Sequence, residues 1–179
     1  MTTTTKASPR IYVADLAAYN NGRLHGVCVE LNDDATEDTV REQIEKMLAT
    51  SSEPFAEEYA FHDYEGFGDY SEEYTSIETL LGIAKGISEH GEVFVRYMTH
   101  TGIDEPEEAL KSFEEAYAGE WNSQIEFGES LFEELGYTKE IPEHLQNYID
   151  TEAWTRDLFL SGDYFAIHYE NATHVFRSV

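Results

Sequence analysis

The sequence predicts an α+β protein, an elongated chain of three small units that are α+β, mostly α and α+β in turn, with small antiparallel sheets in the first and third. Three observations predict it. Short β-rich runs lie at both ends of the chain, capped amphipathic helices lie between them, and no repeat or low-complexity linker interrupts the 179 residues. With 41% hydrophobic and 13% aromatic residues the chain has the material for a core. The units divide near residues 1–65, 66–102 and 103–179.

Taken in order, 10–13 (RIYV) and 24–31 (LHGVCVEL) read as strands, the second alternating Val27, Val29 and Leu31 on one face, with Asn20-Asn21-Gly22 as turn material between them. A helix starting near Thr36 to Thr39 carries Val40, Ile44, Met47 and Leu48 at helical spacing and stops before Pro54. Residues 58–64 (EYAFHDY) fit a third strand. Thr75 with Glu78 is a capping-box pattern opening a helix with Ile77, Leu80, Leu81, Ala84 and Ile87 on one stripe, which ends at Gly91. Glu92 to Met98 fits a shorter helix or a strand by pattern and is read as helical. Asp104 as N-cap and Pro106 in the first turn open a helix with Leu110, Phe113 and Tyr117 that stops at Gly119. A helix capped by Ser123 follows, then another from Asp150 through Trp154 and Leu158 to Gly162. DYFAIHY and THVFR close the chain as a hairpin.

The charge is the unusual quantity. Against 37 Asp and Glu stand 11 Lys and Arg, a formal net charge of -26. Between Lys46 and Lys85 there is no basic residue and nine carboxylates; between Arg96 and Lys139 only Lys111 is basic, against eleven. Self-repulsion of this size costs stability, and it disfavours contact with nucleic acid or an anionic membrane while favouring a cationic partner. A single cysteine, Cys28, rules out an intramolecular disulfide and fits a reducing, cytoplasmic location. No leader or membrane-spanning run is legible.

Catalytic and metal signatures are weak. Neighbouring carboxylates such as Glu72-Glu73 and Glu133-Glu134 point in different directions on a helix and arise by chance among 37 acids. DYEGFGDYSEE lacks the spacing of a calcium loop, and the seven histidines include no paired ligand motif. Gly66-Phe67-Gly68 is followed by no Lys-Ser/Thr pair and sits among acids that repel phosphate. Cys28 reads as a structural thiol on the strand face opposite Val27 and Val29. The sequence therefore predicts neither enzyme, cofactor nor metal. Aromatics interleaved with acids, as in EEYAFHDYEGFGDYSEEY, carry the opposite sign to a nucleic-acid surface; Tyr59, Phe61 and Tyr64 read equally as strand core.

The stretch from Tyr117 to Gly136, YAGEWNSQIEFGESLFEELG, concentrates the problem. It holds five glutamates, 120, 126, 129, 133 and 134, and no Lys or Arg. Ser123 with Glu126 is a capping box and Gly136 a stop. Ile125, Phe127, Leu131, Phe132 and Leu135 fall on one side of the helix, and Glu126, Glu129 and Glu133 on the other. Like charges three or four residues apart destabilise a helix by roughly 0.2–0.5 kcal/mol per pair.

Four segments resemble the ArdA-type antirestriction proteins of plasmids, conjugative transposons and phages: PRIYVADLAAYNNGRLHG (9–26), HDYEGF (62–67), YAGEWNSQIEFGESLFEELG (117–136), and YIDTEAWTRDLFLSGDYFAIHY with HVFR (148–169 and 174–177). The third resembles the family's antirestriction motif. Cys28 and Thr151 stand where an aromatic is expected. The resemblance implies an elongated three-domain homodimer that imitates bent duplex DNA and occupies the DNA groove of type I restriction-modification enzymes, formed by the methyltransferase core and its specificity subunit. Incoming DNA then escapes cleavage and often modification. Residues 117–136 would lie near the dimer interface, with Tyr117, Trp121, Phe127, Leu131, Phe132 and Leu135 as its packing residues.

On this reading the phosphate surrogates are Glu57, Glu58, Asp69, Glu72, Glu73, Glu107, Glu108, Glu114, Glu115, Glu126, Glu129 and Glu133. Duplex DNA carries about two charges per base pair, so a dimer with twice 26, or 52, formal charges matches about 26 base pairs. The competing reading is an acidic, salt-adapted interaction module that imitates nothing.

Overall fold

The computed structural model describes residues 8–72 and 75–178. Among these the architecture is α+β, with two three-stranded antiparallel sheets and the chain divided into two compact units, 1–110 and 111–179.

The first unit is organised by β1 (Arg10–Asp15), the central strand of a sheet ordered β2-β1-β3. Its partners are β2 (Gly26–Glu30) and β3 (Tyr59–Glu65). Ile11 and Val13 are buried, as central-strand alternation requires. The register slips between Tyr12 and Val13, which pair with Asp63 and Phe61, so His62 is the extra residue of a β-bulge. His62 packs edge-on to Tyr19, with ring centroids 4.6 Å apart. At the sheet's charged end Arg10 grips Glu65 through two hydrogen bonds of 2.6 and 2.7 Å.

A one-turn helix that the sequence reading missed, α1 (Leu16–Asn20), follows β1 directly. Its signal is Asp15, whose carboxylate accepts hydrogen bonds from the Ala17 and Ala18 amides at 2.9 and 3.2 Å. α2 (Glu37–Ala49) buries Val40, Ile44 and Met47, and Thr36 and Thr39 cap it reciprocally. α3 (Ile77–His90) buries Leu80, Ile83 and Ile87, and α4 (Val93–Thr101) returns against it. Gly86 permits that return, since a Cβ there would lie 2.2 Å from the Phe94 ring. The α3 cap is Ser76, accepting from the Thr79 amide at 2.9 Å, where the sequence pattern pointed to Thr75 with Glu78. Two hydroxyl residues stand side by side there, and the helix uses the one adjacent to its first turn.

α5 (Pro106–Ala116) leads into the second unit, whose sheet has the order β4-β6-β5. Its strands are β4 (Tyr117–Trp121), β5 (Tyr164–Tyr169) and β6 (Ala172–Arg177). The terminal hairpin turns at Glu170-Asn171, with Glu170 in the left-handed region at φ 52°. Tyr117 thus opens a strand instead of ending a helix, and Gly119 is not a helix stop. It has φ 110°, and together with Ala118 it faces one residue of β6 in a bulge.

The remaining helices are α6 (Gln124–Glu134), α7 (Tyr137–Glu140), α8 (Glu143–Gln146) and α9 (Thr151–Leu160). α6 and α9 pack together at Gly128, where a Cβ would come within 1.8 Å of the Thr155 hydroxyl oxygen. No helix among the described residues is long and apolar enough to cross a membrane.

Candidate functional site

The bulge in β4 decides where the aromatic residues of 117–136 go. Residues four apart on a regular strand share a face, but the extra residue between Tyr117 and Gly119 sends Tyr117 and Trp121 to opposite faces. Tyr117 lines up across the sheet with Phe176 and Phe165, ring centroids 5.3 and 5.2 Å apart in sequence, and Phe113 covers the row. On the other face Trp121 and Tyr164 lie 5.5 and 5.1 Å from the buried Phe127 ring. Phe132 is buried against Tyr137 and Trp154.

Phe127 and Phe132 are therefore core of the second unit, Leu131 and Trp121 are half-buried, and Tyr117 is 37% exposed. Leu135 is 50% exposed, and Ile125 is exposed as well. Both were expected on the apolar side with Phe127. The buried stripe is instead centred on Phe127, Gly128 and Phe132, because that is where the sheet and α9 close on α6.

Ser123 caps α6 as expected, accepting from the Glu126 amide at 3.1 Å. The reciprocal half is displaced by one residue. Glu126 Oε2 accepts from the backbone and side-chain amides of Asn122, both at 2.8 Å, and not from Ser123. The extended backbone of Ser123 (φ −158°) turns the Asn122 N–H towards the carboxylate. Glu126 is thereby held in a fixed orientation at the positive end of the helix dipole.

Eleven of the twelve carboxylates expected to act as phosphate surrogates fall within the described residues, and all eleven belong to exposed residues; Glu73 lies outside them. They occur on both units. In the first, Glu57 and Glu58 precede β3, Asp69 and Glu72 follow it, and Glu107 and Glu108 occupy the first turn of α5. In the second, Glu114 and Glu115 end α5, and Glu126, Glu129 and Glu133 run along α6. Asp69 pairs with Arg96 at 3.1 Å and Glu115 with Lys111 at 4.0 Å. Glu57, Glu58, Glu72, Glu107, Glu108, Glu126, Glu129 and Glu133 have no ion pair among the described residues.

Several of the few cations are engaged next door. Arg41 meets Glu37, Lys46 meets Glu42, Arg156 meets Asp157, and Arg23 meets Glu53, the last carboxylate having a side chain only 10% exposed. Glu105, Glu120 and Glu134 are exposed too, and nothing in the sequence separates them from the expected set.

The aromatics between the acids turn inward. Phe61 and Phe67 are buried, and Tyr64 packs edge-on to Phe67 and Tyr70 at 5.6 and 5.8 Å. The Tyr64 hydroxyl donates to the Glu72 carbonyl oxygen at 2.5 Å and that of Tyr70 to Thr75 Oγ1 at 3.0 Å. Burial, with Tyr70 and Glu72 nearby, pushes the Tyr64 phenol up to about 12. These tyrosines brace the loop that presents Asp69 and Glu72 and bring no ionisation of their own. The surface so built is acidic and backed by packed aromatic rings.

A family model for the antirestriction protein ArdA matches residues 11–171. The chain belongs to the ArdA family. Membership supports an antirestriction function, that of an inhibitor acting on restriction enzymes, and the matched span includes both acidic intervals and all of residues 117–136. No match was found among curated proteins.

Proposed function

We propose that the chain is a homodimeric mimic of bent duplex DNA that occupies the DNA-binding groove of type I restriction-modification enzymes and blocks both cleavage and modification. The observation that carries this reading is the set of eight exposed carboxylates of the expected set, distributed over both units, with no ion pair among the described residues. A groove lined by Lys and Arg gains affinity for DNA by neutralising phosphates and releasing their counterions. Carboxylates held on folded elements meet the same side chains through charge-assisted hydrogen bonds, and long-range attraction speeds the encounter. No bond is made or broken.

The proposal includes the three-part organisation at 1–65, 66–102 and 103–179, a cytoplasmic site of action, and α6 near the dimer contact. The exposed Ile125 and Leu135 support the last of these, as apolar surface that the subunit itself leaves uncovered.

Competition tests the reading: the full chain against duplex DNA for a purified type I methyltransferase core carrying its specificity subunit. Displacement should weaken as salt rises. Absence of displacement at low salt, where charge effects are largest, overturns it. Folding in low salt separates it from a salt-adapted acidic module, which should unfold there.

A further inference from the structure

Two loops of the first unit are tied together beside α1. Arg23 Nη1 donates to Glu53 Oε1 at 2.6 Å and to Ser52 Oγ at 3.2 Å, and Asn21 Nδ2 donates to Glu53 Oε2 at 2.8 Å. Below them the Ser51 hydroxyl donates to Asp15 Oδ2 at 2.5 Å, and His25 Nε2 lies 2.8 Å from the Met47 carbonyl oxygen. From this fixed base two apolar side chains project into solvent, Leu24 at 86% exposure and Phe55 at 91%.

Phe55 is there at a cost. It occupies the third position of the turn Glu53-Pro54-Phe55-Ala56, with φ 61°. Pro is ordinary at the second position of such a turn, whereas a positive φ at the third is ordinarily met by Gly or Asn. A bulky side chain in left-handed backbone is unfavourable, and among the described residues of the fold only Phe55 and Glu170 combine a side chain with positive φ. Glu170 sits in a two-residue hairpin, which demands it. The Phe55 ring gains no burial in return.

We propose that Leu24 and Phe55 form an apolar anchor that enters a nonpolar depression, rimmed by Lys or Arg, on the restriction enzyme the chain inhibits. The anchor rests on the reading of the chain as an acidic inhibitor of such an enzyme. Exposed Glu57 and Glu58 follow Phe55 within three residues, so the anchor has a negative rim. That rim repels a second copy of the same tip and an anionic membrane, and it suits a cationic protein. Size gives the same answer. A phenylalanine buries about 150–250 Å², far below the ~1,200 Å² of a stable interface, so the anchor works only as part of a larger contact such as the carboxylates would make. Its contribution is apolar and does not depend on counterion release.

The test uses Phe55→Gly and Leu24→Asn in the full chain, each competed with duplex DNA for a type I methyltransferase core at low and at high salt. Gly accepts the positive φ, so Phe55→Gly should unfold within a few degrees of the parent, while each variant loses about tenfold in inhibition. The loss should be the same at both salt concentrations. Either variant inhibiting as well as the parent, or a loss that fades with salt, overturns the anchor and leaves the mimic reading standing. A parent that displaces no DNA overturns both.

Discussion

The Tyr117 hydroxyl lies 3.1 Å from Nδ1 of His174, across the β4–β6 ladder in which His174 faces Glu120. The rings also stack, at a centroid distance of 6.1 Å. A phenol donating to Nδ1 needs a neutral imidazole with its proton on Nε2.

Burial lowers the His174 pKa, with Glu120 opposing more weakly. Between the folded and unfolded values the unfolded chain binds more protons, so stability rises with pH. The contribution is fully present above about 6.5, the unfolded value, and is lost as pH falls through the folded one. Urea unfolding should show the second unit weakening on acidification from about pH 7.5 to 5.5, and Tyr117→Phe should cost about 1 kcal/mol at the higher pH with a flatter pH dependence.

Asp15 has the opposite protonation chemistry and the same sign. Burial pushes its carboxyl up, but the Ser51 hydroxyl and the Ala18 and Ala17 amides outweigh this and hold it below the ordinary carboxylate range. Its stabilisation is present above the unfolded value of about 3.9 and is lost as pH falls through the folded value. Ser51→Ala should move the acid transition of the first unit, followed by circular dichroism, to higher pH. Asp15→Asn should cost about 1–3 kcal/mol at neutral pH and flatten the acid limb.

Gly128 sets the α6–α9 distance. Gly128→Ala should destabilise the second unit by about 1–3 kcal/mol in chemical denaturation. Combining it with Thr155→Ala should give only partial relief, because the new Cβ would still lie 2.6 Å from the Thr155 Cβ.

Lys111 is the only cation between Arg96 and Lys139, and it faces Glu115. Surface pairs contribute about 0–1 kcal/mol, so Lys111→Gln should leave the thermal midpoint nearly unchanged. On the mimic reading it should strengthen inhibition a few-fold at low salt, and binding no stronger than the parent's would show that Glu115 lies outside the contact.

Much of this was legible in the sequence because it is local. The terminal hairpin, α2, α3, α6 and α9 follow from periodicity and cap residues, and the exposure of the acids follows from their charge. What was illegible needed a partner element. Gly119 carries the same glycine whether it ends a helix or forms a bulge, and only β6 decides. Gly128 counts for nothing on a helical wheel, yet α9 closes on it, which shifts the buried stripe and leaves Ile125 and Leu135 outside. The Ser123 cap is visible, but the displacement of Glu126 to Asn122 depends on the strand that delivers the chain. Phe55 has no periodicity to betray it, since its exposure comes from a turn fixed by Arg23, thirty residues away along the chain from Glu53.

Among the described residues the order β2-β1-β3 leaves the first sheet with two unpaired margins, each able to accept a strand from another molecule. Glu30 on one margin and Asp63 on the other are exposed, with Glu65 paired to Arg10, so a second copy adding there would bring like charges together. The charge that the mimic reading assigns to recognition would thus also oppose self-association. The protein should be hardest to keep in solution near its pI of about 4.3, where that protection and, on the mimic reading, the attraction to a cationic groove vanish together.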